Sequence, residues 1–498
     1  MKSAKGAVTA STAYAAAAGE QILRAGGNAV DAAVATALAS CVCDPANTGI
    51  GGFGGHMVVA APSRPPACID FNVWTPAAAA ASYRGVSGTG PKASVIPNVV
   101  AGLSAALKAF GSLSWAEAIA PAIALADEGF IVGPTLERAL RDVKGMPFVD
   151  ECFSFDQGSN GLQLRQPALS RTLRNLAERG PRWFYEGELA AVGSRCLSEA
   201  GHDTTPGQWA EALEAVTVAS PPSLSAHGVR LYSSPLGTSG SICMFATVDA
   251  GAKLAKGADL ESPASIRAWA ERIAAAWSYR FGVAEGNTIG NDEIEAWIAR
   301  AAAFRPLAAA AEEVSHTCHL NTADRDGMIV ATTFTHGMLW FGGRWALPGT
   351  GIIMNYGGRA VSAPAPKIVA GRAHAVTNMS PTIALTYDGA AVAIGSPGAR
   401  RIATIVGLAL ARHFFAGVPL QEALARGRFH AESADRATLE TDRFPAAVAA
   451  ALRDSFASVE TEAPAGYYGP CTAIRRDSDG HLTLGLDDRW RGYGEIAA

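Results

Sequence analysis

Polar residues interrupt the alanine-rich opening of the chain at helical intervals. Glu20, Gln21 and Arg24 punctuate an otherwise apolar run that ends at Gly26-Gly27. That spacing predicts an amphipathic helix with a glycine stop, and residues 11–43 read as two helices broken at Gly26-Gly27-Asn28. Helical patterning returns over 97–130, 164–200, 264–280 and 290–303. Met328–Thr335 is dense in β-branched residues, and the Asp324-Arg325-Asp326-Gly327 turn ahead of it predicts a hairpin with a preceding strand. Strands are also predicted at 229–234, 382–387, 390–394 and 482–486. A helix is predicted from "GSPGARR" (395–401) to about Phe415. Helices dominate the first 310 residues and strands the remainder, yet both halves contain both. With no clean linker, repeat or low-complexity segment, the expectation is one layered α/β body.

Composition narrows the function. The chain has 498 residues, 49% of them hydrophobic, and a formal charge of -4. That is enough for a large core, and the absence of a basic stripe argues against nucleic-acid or membrane-surface partners. No run reaches ~18 apolar residues, so no membrane-spanning helix is expected. The N-terminal segment reads as a folded helix rather than a secretory leader, which implies the cytoplasm. The eight cysteines are dispersed without a Cys-x-x-Cys, a pattern of buried thiols rather than a disulfide framework. His316 and His319 have no companion His or Cys at ligand spacing, so neither a metal nor another cofactor is expected. A Ser/His/Asp triad is not indicated, because no G-x-S-x-G elbow exists.

Three segments carry candidate chemistry. "GIGGFGG" (49–55) fits G-x-G-x-x-G, but a helix precedes it and a strand follows, the reverse of a dinucleotide site. A close backbone crossing explains it better. In "GSPGARR", Gly398 and Ala399 are expected to begin the helix, where outward amides can hold an oxyanion, each worth about 3 kcal/mol. The same residues also suit a plain strand-to-helix turn. Thr317 lies near the start of the hairpin. It is an ordinary β-former unless the chain is cut before it; then its own α-amine can act as base for its hydroxyl.

Taken together, "AGGNAVDAAVATALASCVCDPANTGIGGFGGHMVV" (25–59), "IPNVVAG" (96–102), "YSSPLGTSGSI" (232–242), "NMSPTIAL" (378–385), "GSPGARRI" (395–402) and "GRFH" (427–430) resemble, in order, motifs of the γ-glutamyltransferase family. The resemblance spans nearly the whole chain. It implies a four-layer αββα N-terminal-nucleophile hydrolase sandwich and a proenzyme that cuts itself. The cut would fall between His316 and Thr317, giving a large subunit 1–316 and a small subunit 317–498 intertwined in one domain. Thr317 would be the nucleophile, Thr335 the threonine bonded to it, and Gly398 and Ala399 the oxyanion pair.

The substrate pocket departs from that family's pattern. Ala81 stands where an arginine grips the glutamyl α-carboxylate, with Arg84 nearby. Gly337 replaces an asparagine, Gly357-Gly358-Arg359-Ala360 replaces the segment that meets the α-amine, and Thr377-Asn378 replaces a serine pair. Cys318 follows the nucleophile where Thr or Ser is usual. The acidic partner for an ammonium is lost, while Arg359 and Arg344 are gained. These changes imply an acyl group that is not an α-amino acid: a carboxylate facing Arg359, or an apolar group against Trp340, Phe341 and Trp345. Those aromatics suit a core equally well. The expected enzyme is therefore a small-molecule amidohydrolase acting on an oxamate-type or dicarboxylic monoamide. The alternatives are a γ-glutamyl hydrolase or transferase, and an uncut, non-catalytic binding protein suggested by His316 and Cys318 at the cut. Assembly of identical copies is left open.

Overall fold

The protein is seen in a computed structural model that describes residues 5–284, 289–306, 316–362, 367–369, 371–461, 468–489 and 493–497. Seven strands form one antiparallel sheet in the order Tyr493–Ala497, Gly6–Ala10, His316–Asp324, Ile329–Gly337, Gly54–Ala61, Arg64–Phe71 and Thr217–Ala219. Six form a second in the order Leu482–Leu486, Thr472–Arg476, Ala391–Gly395, Thr382–Thr386, Val229–Tyr232 and Ser223–Ala226. Both sheets combine strands from either side of residue 317.

Side-chain alternation builds the layers. Val8, Met57, Val59, Leu320 and Phe334 face helices Ala13–Ala25, Ala29–Cys43 and Val99–Phe110. Their neighbours Ala7, Val58, Ala60, Ala323 and Ala331 face Ile383, Ala393 and Ile474 of the second sheet. The outer face of that sheet, with Ala384, Val392 and Ile394, packs on helices Ser241–Leu254, Pro263–Tyr279 and Arg401–Phe415. The result is the expected αββα sandwich.

The Gly26-Gly27-Asn28 break has a local cause. Gly26 closes the first helix at φ 98°. The Asn28 side chain then accepts from the Val30 and Asp31 amides, and Asp31 accepts from the Asn28 amide. All fifteen residues of Ala29–Cys43 are buried, so this helix is apolar all round. The 49–55 loop is a close crossing: a Cβ on Gly51 would sit 2.3 Å from the Ile353 carbonyl, and one on Gly55 2.3 Å from that of Thr333.

Some predicted elements divide. The 97–130 helix is two, Val99–Phe110 and Trp115–Glu128, because Ser114 and Glu117 form a capping box that starts a new helix. The 164–200 segment begins in strand Gly161–Arg165 and continues as three helices, each with Pro or Gly at its start. Strands Gly6–Ala10 and Thr472–Arg476 were not predicted. The first is buried at every position and shows no alternation to read.

Polar side chains also cross the sheet interface. His319 is 3% exposed and sits 2.8 Å (Nδ1) from Thr333 Oγ1 and 3.0 Å (Nε2) from Asn321 Oδ1. Asn321 Nδ2 donates to Thr9 Oγ1 and the Thr472 carbonyl, both at 3.0 Å. Nε2 therefore carries the proton and Nδ1 accepts from Thr333. Burial pushes the His319 imidazole down to about 4. Between pH 6.5 and about 4 the unfolded chain binds a proton here that the folded chain does not, so stability falls as pH falls through that window. The slope from this group is about 1.4 kcal/mol per pH unit, about 3 kcal/mol in all. Urea unfolding at pH 7, 6 and 5 should show the wild type losing about one proton's worth of slope more than His319→Gln.

Candidate active site

At the mouth of the central hairpin the ladder slips. His316 pairs with Gly337 and Cys318 with Phe334, so Thr335 and His336 together oppose the single residue Thr317. Such a bulge re-aims side chains. Cys318 and Leu320 face the helix layer, which places Thr317 and His319 on the face toward the second sheet. Thr317 is buried, 5% exposed. Thr335 Oγ1 donates to the His316 carbonyl at 2.5 Å and accepts from the Gly337 amide at 2.9 Å. The bond before Thr317 thus carries a hydroxyl donor on its carbonyl oxygen.

The His316 ring lies on Trp340, with centroids 4.7 Å apart and planes at 30°. The Arg138 guanidinium sits 5.5 Å from the Trp340 ring, and Arg344, paired with Asp142, stands close by. Burial, then Arg344 and Arg138, push the imidazole down to about 4, so it is neutral at physiological pH.

The second sheet supplies the opposing wall. Ala391 and Ala393 pack with Ala323, whereas Gly395 lies against His319, so the two strands run in opposite senses and the chain leaving Gly395 heads toward Thr317. The 395–401 turn differs from expectation. Gly398 (φ 132°) and Ala399 (φ 55°) precede the helix rather than begin it, because those positive φ values do not fit a right-handed turn. Among the described residues neither amide has a backbone acceptor.

The turn is braced from behind. The Ser396 hydroxyl donates to the Pro397 carbonyl at 2.6 Å. Gly469 packs so tightly on Pro397 that a Cβ would lie 2.0 Å from its oxygen. Arg428 Nη1 donates to the Gly469 carbonyl at 2.5 Å, while its Nη2 pairs with buried Asp487. Asp487 also accepts from Arg489 (3.0 Å) and the Cys471 amide (2.9 Å). Burial alone would raise the Asp487 carboxyl, but Arg428 and Arg489 outweigh it and hold it below the usual carboxylate range.

The remaining sequence candidates scatter around this centre. Arg359 is exposed on the Gly358–Val361 turn, which packs on Tyr83, next to exposed Arg84. Among the described residues Arg359 makes no ion pair. The Thr377 hydroxyl donates to the Thr238 carbonyl, and Asn378 Oδ1 accepts from Arg280 Nη1 at 3.0 Å. Of the three aromatics, Trp340 alone lies on His316. Phe341 is core, packed on Phe148 and Phe153, and the Trp345 indole donates to Ser94 Oγ at 2.7 Å. Among the described residues no group of His, Cys, Asp or Glu is arranged to hold a metal.

The Gamma-glutamyltranspeptidase family profile matches residues 15–498. The chain belongs to this family. It is 30% identical to a glutathione hydrolase proenzyme of Pseudomonas aeruginosa over 99% of this chain and 94% of that one. It is also 30% identical to the acylase ACY 1 proenzyme of Pseudomonas sp. strain SE83, over 90% and 86%. A cephalosporin acylase from Bacillus halodurans shares the fold at a TM-score of 0.84, covering 99% of this chain and 96% of that one at 24% identity. Membership makes this protein an enzyme of the N-terminal-nucleophile hydrolase and acyltransferase class.

Several residues around this candidate site carry no signal in the sequence. Arg280, buried in the second layer, holds the Thr377 carbonyl at 2.8 Å as well as Asn378. Asn355 saturates its amide on Gly51, Val95 and Gly357, tying the glycine loop to the 357–360 segment. No local pattern distinguishes either from a surface polar residue. Ala399, at φ 55°, is the strained non-glycine residue of the 396–399 turn. Ala399→Gly should raise the unfolding free energy by about 0.5–1 kcal/mol in urea titrations, since it removes a left-handed Cβ. Activity should persist, because the amide remains.

Proposed function

We propose that the protein is a self-processing N-terminal-threonine amidohydrolase that hydrolyses a small amide through an ester on Thr317. The observation that carries this reading is the 2.5 Å hydrogen bond from Thr335 to the His316 carbonyl. A donor on that oxygen stabilises the charge that develops when Thr317 Oγ adds to the adjacent carbon. The C–N bond to the Thr317 nitrogen then breaks, the hydroxyl proton passes to that nitrogen, and water hydrolyses the ester. The released α-amine, titrating near ~7.7, takes the Thr317 proton when a substrate amide is attacked. The amides of Gly398 and Ala399 face the substrate oxyanion. The Pseudomonas relatives named as proenzymes support a processed enzyme. The eight unpaired thiols support a reducing compartment, the cytoplasm.

Thr317→Ala should leave a single 498-residue band on a denaturing gel and no turnover. Thr317→Ser should still process, because any hydroxyl can attack. Cleavage of Thr317→Ala at this bond would assign the cut to an external protease. Thr335→Val should slow processing by about 10–100-fold, the loss of one buried donor worth about 1.5–3 kcal/mol.

The acyl group we propose is a carboxylate-bearing one without an α-ammonium. Ala81, Gly337 and Gly357–Ala360 offer no carboxylate to an ammonium, and Arg359 would repel one. The relative named as a glutathione hydrolase favours the competing reading, a γ-glutamyl hydrolase. On processed enzyme, γ-glutamyl-p-nitroanilide should show kcat/KM at least about a thousandfold below glutaryl-p-nitroanilide, about 4 kcal/mol. Efficient γ-glutamyl cleavage would decide for the glutathione-type enzyme.

A further inference from the structure

The uncut chain already presents an acyl group to Thr317, that of His316. We infer that the slot holding the His316 side chain is the acyl pocket of the processed enzyme, and that it takes a flat acyl group bearing an anionic end. The inference rests on the reading of Thr317 as nucleophile and deepens it.

Self-cleavage forms a bond between Thr317 Oγ and the His316 carbonyl carbon, breaks the C–N bond, and moves the hydroxyl proton to the new amine. The ester so formed is the same species as the ester made from a substrate, with His316 as its acyl part. Both esters hang from the same Thr317 Oγ, so the His316 side chain and a substrate's acyl chain leave it into the same cavity. When hydrolysis frees His316, its slot opens to substrate.

What surrounds His316 defines the chemistry. Trp340 offers a ring face at 4.7 Å, tilted by 30°, the spacing of an aromatic contact. Trp340 Nε1 is buried without an acceptor among the described residues, so a donor waits there for an oxygen. Arg138 lies over Trp340 at 5.5 Å, and Arg344 donates its Nε to the Trp340 carbonyl at 3.4 Å. Asp142 is paired with Arg344, which leaves one positive charge of excess. Such surroundings keep an imidazole neutral and favour an anion. The loop is held in shape at a cost: Phe341 (φ 60°) and Arg344 (φ 56°) are both left-handed, a strain that persists where geometry is imposed on a site.

Calorimetry on processed enzyme tests the slot with N-acetylhistidine and N-acetylalanine at pH 7.5. The histidine compound should bind at least tenfold tighter. Trp340→Leu should abolish that preference, and Trp340→Phe should restore most of it. In kinetics, 4-carboxyphenylacetyl-p-nitroanilide should have a KM at least tenfold below phenylacetyl-p-nitroanilide with similar kcat. Arg138→Ala, a change at an exposed position, should remove that advantage. No preference for histidine, or one that survives Trp340→Leu, overturns the pocket. A carboxylate advantage that survives Arg138→Ala overturns its anionic character. Processing is read on the same samples: an uncut chain, or one that hydrolyses none of these anilides or glutaryl-p-nitroanilide, counts against the functional reading instead.

Discussion

The His319 imidazole pressed against the bare α-carbon of Gly395 sets how closely the two sheets meet at the Thr317 end. A Cβ on Gly395 would fall 2.2 Å from that ring, so no side chain is admitted there. His319 is in turn pinned by Thr333 and Asn321, and Asn321 reaches across to the Thr472 carbonyl in the register partner of Gly395. Interiors packed to this density do not deform continuously. The separation between the strand that carries Thr317 and the strand that delivers the 396–399 turn is therefore fixed by one ring and one missing methyl.

From that contact the rest of the site follows in shells. The chain leaves Gly395 through a turn with two left-handed residues, Gly398 and Ala399, and the turn leans on Gly469. The Gly469 carbonyl is held by Arg428, whose charge is balanced by Asp487 and the adjoining Arg489–Glu440 pair. Buried ion pairs contribute little net stability because desolvation offsets their attraction. Here the network gains a geometric role, since it fixes the Gly469 carbonyl behind the 396–399 turn.

The opposite wall is the mouth of the central hairpin. The bulge that sets Thr335 and His336 against Thr317 holds the Thr335 hydroxyl on the His316 carbonyl. Beyond it, Gly337 and the Gly357–Ala360 turn stay close: Gly337 bridges Tyr356, and the Tyr356 amide donates to the His336 carbonyl at 2.7 Å. Positive charge instead gathers at Arg138 and Arg344 around Trp340, and at exposed Arg84 and Arg359. The hairpin that carries Thr317 and Thr335 and the segments that carry these arginines are separate stretches of the chain, so one can vary without the other.

Local chemistry made much of this legible in the sequence. Periodicity located the helices around Gly26-Gly27-Asn28, since a left-handed glycine and an Asn–Asp capping box act within a few residues. β-Branched density and the Asp-Arg-Asp-Gly turn located the central hairpin, and ordered motifs named the family and the candidate residues Thr317, Thr335, Gly398 and Ala399. Tertiary structure alone decided the rest. Strands such as Gly6–Ala10, buried on both faces, leave no alternation, and their place comes only from pairing with residues more than three hundred positions away. Whether Trp340, Phe341 and Trp345 line a pocket or fill a core depends on what packs against them, and composition treats the three alike. Arg280, Asn355, Arg428 and Asp487 matter because of the distant carbonyls and amides they reach. A hydrogen bond between residues far apart in the chain leaves no periodic trace, so only the folded chain records it.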